Sequence, residues 1–254
     1  IYINTMFKKK IFHFSVDDVF ESLIEVSDKN IPLQKHWFFK PLYEIWKKYK
    51  IRTGLHLFYE GQVNNKLRTL KDIKKLNKND FKKWLYFGPH AKNTNLPPYK
   101  QAPKHQKKNF KKIIKEINRF AGKQNNSNYI RLHHYSESYE LSSFFKKNKI
   151  KALFSTDRKV GSHRMPKKIS DKLINFGHAQ YKGLNFIKTD FRIEWLTSCR
   201  KKQIKNSFLK ELKKKNYIII YSHEYEFKNK RIIKKLFDSM EILSKNLKLQ
   251  NIRP

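Results

Sequence analysis

The sequence predicts an α/β chain built on a parallel sheet that closes, or nearly closes, into a β/α barrel. Short apolar runs rich in β-branched and aromatic residues alternate with longer runs of helical period. About seven such units fit the length of 254 residues, at the ~30 residues or more that a βαβ unit occupies. Residues able to do chemistry gather at the C-terminal ends of the apolar runs, the edge where parallel α/β folds build their sites.

The elements follow in chain order. A strand is expected over 9–16, ending at Asp17–Asp18, with a helix over 19–25. A second helix covers 40–50, with Leu42, Ile45, Trp46 and Tyr49 on one side and Pro41 tolerated in its first turn. A strand over 52–59 precedes a short helix over 79–84, capped by Asn79 or Asp80, and a strand over 85–88 that runs into Pro89 and His90. The proline-bearing stretch 93–105 reads as a surface loop. In the helix over 109–120, Phe110, Ile113, Ile114, Ile117 and Phe120 have helical spacing. Strands over 129–135 and 151–155 flank a helix over 139–147, and 158–173 reads as irregular and basic. A strand over 184–195 alternates strictly at its end, with Asp190, Arg192 and Glu194 on one face. A helix over 198–215, a strand over 217–221 ending at Ser222-His223, and a helix over 228–247 complete the chain, read as one domain over 1–254.

Composition narrows the function classes. Apolar residues at 39% and aromatics at 15% exclude a disordered chain. The lone Cys199 excludes internal disulfides and a cysteine-built metal site. It also fits a reducing compartment. The apolar run 11–14 is shorter than a signal-peptide core, and no run is long enough to span a bilayer, so a cytoplasmic protein is expected. The net charge of +37 favours acidic partners over basic ones. Its lysines are spread along the chain as solvated helix faces, and no nucleic-acid reader motif accompanies them. Nucleic acid is therefore not the expected partner.

The candidate site residues are those at the strand ends: Asp17 and Asp18, His90, Arg131 with His133 and His134, Asp157, and His223 with Glu224. Adjacent carboxylates suit a division of labour between metal ligand and base, although an Asp pair also suits a helix N-terminus. His133 and His134, as neighbours in a strand, point to opposite faces; Arg131 and His133 share one. His223, after a buried strand, suits a general acid or base because imidazole titrates near neutrality. Asp190 and Glu194 read either as a salt-bridged sheet face or as supports that orient catalytic groups. The other histidines (His13, His36, His56, His105, His163, His178) read as structural or surface residues, with His56 held in reserve as a rim residue.

These residues resemble a known family. Phe14-Ser15-Val16-Asp17-Asp18 is similar to the strand-end Asp-Asp motif of the polysaccharide deacetylases, the NodB-homology enzymes. Phe87-Gly88-Pro89-His90-Ala91 stands where that family places its metal histidines. Arg131-Leu132-His133 resembles the family's arginine motif, and the run from Tyr221 through His223 to Phe227 its late Thr-His motif. The resemblance implies a distorted (β/α)7 barrel and metal-dependent removal of an acetyl group from an amino sugar or polysaccharide. It implies Asp17 as base, Asp18 and His90 as ligands of a divalent metal such as zinc, His223 as general acid and Arg131 as the residue that orients Asp17. The family's second metal histidine, four residues after the first, is replaced by Thr94. The third ligand is then expected from His133 or His134, or from Thr94 or Asn93 through oxygen. If none serves, the alternatives are an inactive barrel that binds an anionic glycan or a basic nucleic-acid-binding protein.

Overall fold

The computed structural model describes residues 9–135, 138–158 and 165–254; Ile1, Met6 and His163 lie outside them. The elements in order are β1 (Ile11–Val19), α1 (Glu21–Lys29), α2 (Phe39–Tyr49), β2 (Thr53–Phe58), β3 (Glu60–Val63), β4 (Lys66–Thr69), α3 (Lys78–Phe81), β5 (Leu85–Ala91) and α4 (Pro103–Phe120). There follow β6 (Tyr129–Ile130), α5 (Ser142–Lys147), β7 (Ala152–Ser155), α6 (Lys167–Phe176), β8 (His178–Tyr181), β9 (Leu184–Lys188) and β10 (Phe191–Arg192). The chain ends with α7 (Lys201–Leu212), β11 (Tyr217–His223), α8 (Lys230–Glu241) and β12 (Gln250–Asn251).

The strands form two arcs. One runs β10-β11-β1-β2-β5 and the other β6-β7-β9-β8, and every ladder along them is parallel except β8 against β9. The arcs meet at two seams. The segment 184–192 pairs with β7 through β9 and with β11 through β10. On the other side Phe87 of β5 bridges Asn126, just before β6, and the Ser127 N–H donates to the Phe87 carbonyl at 2.8 Å. There Gly88 is required by close approach, since a Cβ would lie 2.7 Å from Ile130 Cγ2. Counting β9–β10 as one strand, the ring holds seven parallel strands: β1, β2, β5, β6, β7, β9–β10 and β11. The expected barrel is present, with β8 and the β3–β4 hairpin added outside it.

Strand alternation sorts side chains into two layers. Phe12, Phe14 and Val16 of β1 pack with Leu55, Leu57, Ile218, Ile220 and the helices. Ile11 of the same strand packs with Tyr129, Phe154, Ile187, Tyr217 and Ile219 in the barrel interior. On that inner face His13, Ser15 and Asp17 follow Ile11 toward the C-terminal mouth, all buried. In α4 the buried Phe110, Ile113, Ile117 and Phe120 carry the helical period, and its lysines face solvent. Helix α1 has no cap from its own Phe20. Instead the remote Glu224 carboxylate accepts the N–H groups of Phe20, Glu21 and Ser22 at 2.9, 3.2 and 2.7 Å, filling a helix N-terminus from the residue after His223. Burial pushes the Glu224 carboxyl up to about 7 against these donors.

Several expected elements are corrected. The strand over 129–135 stops at Ile130. His133–Tyr135 is instead a 3-10 turn, with His134 and Tyr135 at φ of 55° and 52°. The strand over 184–195 breaks after Lys188, because the chain there leaves β7 for β11, and Ile193–Leu196 is a 3-10 turn. Asp190, Arg192 and Glu194 therefore do not share one sheet face. His90 lies within β5 rather than on a loop after it. Helix α3 starts a residue earlier than expected and is capped by Asn77, whose side chain accepts from the Asn79 N–H. Helix α4 starts at Pro103, inside the expected loop, and α6 occupies much of the stretch read as irregular. Among the described residues no helix is long and apolar enough to cross a membrane.

Candidate active site

The mouth of the barrel opens into a cleft of about 450 Å³ lined by Asp17, Asp18, His90, Arg131, His133 and His223, with Tyr135, Arg158, Arg192 and Tyr225 toward the rim. In a regular strand Asp17 and Asp18 would point to opposite faces. The β1–β2 register slips between Val16 and Val19, and Asp18 takes a left-handed φ of 61°. This bulge turns Asp18 to the same cleft as Asp17, at the strain cost that such a φ carries in a non-glycine residue.

Asp18 Oδ1, His90 Nε2 and His133 Nδ1 converge. The separations are 3.1 Å from Asp18 to His90, 3.4 Å from Asp18 to His133 and 3.1 Å between the two ring nitrogens. The opposite nitrogen of each ring faces a carbonyl, His90 Nδ1 that of Arg131 at 2.6 Å and His133 Nε2 that of Thr94 at 3.0 Å. A carbonyl only accepts, so these nitrogens carry the protons in the neutral rings. Both inner nitrogens then present lone pairs to each other and to Asp18 Oδ1, a buried atom with no hydrogen-bond partner. Lone pairs facing one point with no donor between them fit a cation, and carbonyls behind ligand histidines are the usual orienting partners. The same residues balance their charge if a histidine is protonated. Burial raises the Asp18 carboxyl, but the two histidines outweigh it and hold the group well below the usual carboxylate range.

Thr94 thus contributes its carbonyl. Its hydroxyl bonds Asn95 at 3.4 Å, and Asn93 Oδ1 accepts the N–H groups of Asn95 and Leu96 at 3.2 and 3.0 Å, so neither side chain joins the cluster. His134 lines the cleft without entering the cluster. A second group of potential ligands, Asp17, His56 and His90, differs in kind, because its Asp17–His56 pair is already closed by a hydrogen bond.

Asp17 is buried inside a clamp. His56 Nδ1 lies 2.6 Å from Oδ1, and Arg131 Nη1 donates to Oδ1 and Oδ2 at 3.1 and 3.2 Å. Arg131, itself 1% exposed, also donates to Ser15 and Thr189 at 3.0 Å each and stacks over Tyr221 at 4.1 Å. Burial works to raise the Asp17 carboxyl, yet the Arg131 charge and the His56 bond hold it far below the usual range. His56 faces acceptors at both nitrogens, Asp17 and the Tyr129 carbonyl at 3.2 Å, an arrangement that favours imidazolium, whereas burial lowers its pKa. The 2.6 Å bond to a carboxylate fixes the proton on Nδ1 in either state.

His223 lies in register with Asp17 across the β1–β11 ladder. Its Nδ1 meets Glu194 Oε1 at 3.1 Å, and the same oxygen accepts the His223 N–H and the Ser222 hydroxyl at 3.0 Å each. Burial lowers the imidazole pKa, but the Glu194 bond and the charge of Asp17 outweigh it and raise the group above its ordinary value. Glu194 therefore reaches His223 at the cleft, and Asp190 does not. Asp190 bonds Lys215 and accepts the Ile219 N–H at 2.9 Å, away from the cleft. Asp157 receives Arg192 at 2.9 Å and the Tyr221 hydroxyl at 3.0 Å, and Tyr135 bonds Tyr221.

Sequence reasoning left His56 in reserve and passed over Thr189, Tyr221 and Tyr135. His56 was signalled by the alternation of β2, where Leu55 and Leu57 face the helices and Gly54 and His56 the interior.

No protein-family model matches the sequence, and no curated protein matches it. Solved structures do. The 4-alpha-glucanotransferase of Thermococcus litoralis superposes with a TM-score of 0.55 at 12% identity over 95% of this chain, which spans only 37% of that protein. The polysaccharide deacetylase of Bacillus cereus superposes with a TM-score of 0.51 at 12% identity, over 96% of this chain and 93% of its own. The Xyl-CE4 domain of a multidomain xylanase from the hindgut metagenome of Trinervitermes trinervoides gives 0.51 at 12% identity, over 96% and 87%. The chain thus shares its fold, a distorted (β/α)7 barrel, with polysaccharide deacetylases.

Proposed function

We propose that the chain is a divergent polysaccharide-deacetylase relative, a metal-dependent hydrolase that removes an N-acetyl group from an amino sugar. The observation that carries this is the convergence of Asp18 Oδ1, His90 Nε2 and His133 Nδ1 beside Asp17 and His223. Two imidazoles and one carboxylate suit zinc or a similar divalent ion. Such an ion, when bound, would polarise the acyl carbonyl and lower the pKa of water.

The chain's own residues supply the proton chemistry. Asp17, held ionised by Arg131, takes the proton of the attacking water. His56 occupies Oδ1, leaving Oδ2 the less encumbered acceptor. His223, with Nδ1 held by Glu194, presents Nε2 and delivers a proton to the departing amine. The rim aromatic Tyr225, 55% exposed and stacked on His223 at 5.2 Å, offers a flat face to a sugar ring.

The test is metal content and deacetylation of N-acetylated chito-oligosaccharides, with Asp18→Ala and Asp17→Asn alongside. Near-stoichiometric divalent ion is expected, lost in Asp18→Ala, and Asp17→Asn should lower kcat by about 100-fold or more. Full turnover in Asp17→Asn would remove it as the base. One observation favours a second reading. The clamp of Arg131 and His56 makes Asp17 a weak proton acceptor, which suits a barrel that binds glycan without cleaving it; metal and glycan binding with no turnover would select that reading.

Glu194 sets the pH range. Its carboxylate raises His223, so the protonated acid persists to higher pH. In Glu194→Gln the alkaline limb of the kcat/KM profile should move to lower pH. An unmoved limb would show that His223 is not the acid.

A further inference from the structure

The charges around the cleft do not cancel in pairs. Asp17 is matched by Arg131, Asp157 by Arg192 and Glu194 by His223, while Asp18 faces the histidine cluster. Arg158 also lines the cleft, and it alone of the lining arginines has no acidic partner among the described residues. Its backbone is anchored at the C-terminal end of β7, where its N–H donates to Thr156 Oγ1 at 3.0 Å. The side chain is exposed beside the buried Asp157, whose carboxylate is already spent on Arg192 and Tyr221. Arg192 is likewise spent, bonding Asp157 through Nε and Nη2 and stacking over Trp195 at 4.8 Å. The cleft therefore offers an incoming molecule one arginine that no acidic group among the described residues neutralises, on a chain of net charge +37.

We propose that the acylated substrate is an acidic sugar, whose carboxylate or phosphate is bound by Arg158 at the rim of the cleft. This deepens the hydrolase reading and rests on it. A guanidinium offers paired N–H donors that match either anion.

The experiment compares three probes on the full chain loaded with zinc: N-acetylglucosamine, its 6-phosphate and N-acetylmuramic acid, which carries a carboxylate. For at least one acidic probe, kcat/KM should exceed that of the neutral sugar by about 10-fold at low salt, the scale of a charge-assisted hydrogen bond, and the margin should shrink as salt rises. The better acidic probe identifies the anion. In Arg158→Gln the acidic-to-neutral ratio should fall to about one, through KM. A neutral probe turned over as well as both acidic ones overturns the acidic substrate and leaves deacetylation standing. If no probe is turned over, the hydrolase reading fails and calorimetric binding decides the rest. Tighter binding of an acidic probe, lost in Arg158→Gln, upholds the anion site, and equal binding of all three overturns it.

Discussion

His133→Ala is expected to lower the affinity for a divalent ion by more than about 100-fold, while Thr94→Ala leaves it unchanged. The first expectation follows from geometry. His133 Nδ1 is one of three atoms that converge within 3.4 Å of one another, and its removal leaves only Asp18 and His90. Losing a direct ligand should exceed the 10–100-fold cost of losing an orienting partner. The second follows from which atom of Thr94 is used, since His133 Nε2 bonds its carbonyl and alanine keeps a carbonyl in the same place. Calorimetric zinc titration of the metal-stripped protein checks both. Equal binding by wild type and His133→Ala would place the ion elsewhere or nowhere. A loss in Thr94→Ala would mean that the hydroxyl ligates after all.

The largest effect on stability is expected from Arg131→Met. The substitution leaves Asp17 as a buried carboxylate without its cation and deprives Ser15 and Thr189 of a donor. Breaking a buried ion pair from one side costs about 3–5 kcal/mol. The pH dependence follows from the sign of the Asp17 shift. In the wild type this carboxyl is depressed, so its contribution is present above the unfolded carboxyl pKa and is lost as pH falls through the lower folded value. Without Arg131, burial is opposed only by the neighbouring histidines, so the Asp17 carboxyl moves upward and the folded state holds a proton there more readily than the wild type does. The variant should therefore lose more stability at pH 8 than at pH 5. Asp17→Asn in the same chain should recover part of the loss, because it removes the stranded charge. Urea unfolding at both pH values measures this. A loss below about 1 kcal/mol, or one independent of pH, would mean that the pair is not the buried cation–carboxylate contact described.

The alternation of apolar strands and helical runs determined the parallel α/β class, and the count of about seven units pointed to a closed or nearly closed barrel. Each strand needs one inner and one outer face; a period of two is visible along β1, while β11 reads as a continuous apolar run. The same reasoning brought Asp17, Asp18, His90, Arg131 and His223 to one rim, because parallel strands all end on the same side. What the sequence left open depended on departures from that regularity. A slipped register and one left-handed residue at Asp18 decide that two neighbouring carboxylates share a cleft. A strand ending at Ile130, instead of continuing to Tyr135, decides that His133 and not His134 completes the cluster. The break after Lys188 separates Asp190 from Glu194 and sends one to Lys215 and the other to His223. The clamp on Asp17 draws on β1, β2 and the residue after β6. Local pattern carries no information about such bulges and crossings, because they arise from closing a twisted sheet on itself, and that closure exists only in the tertiary structure.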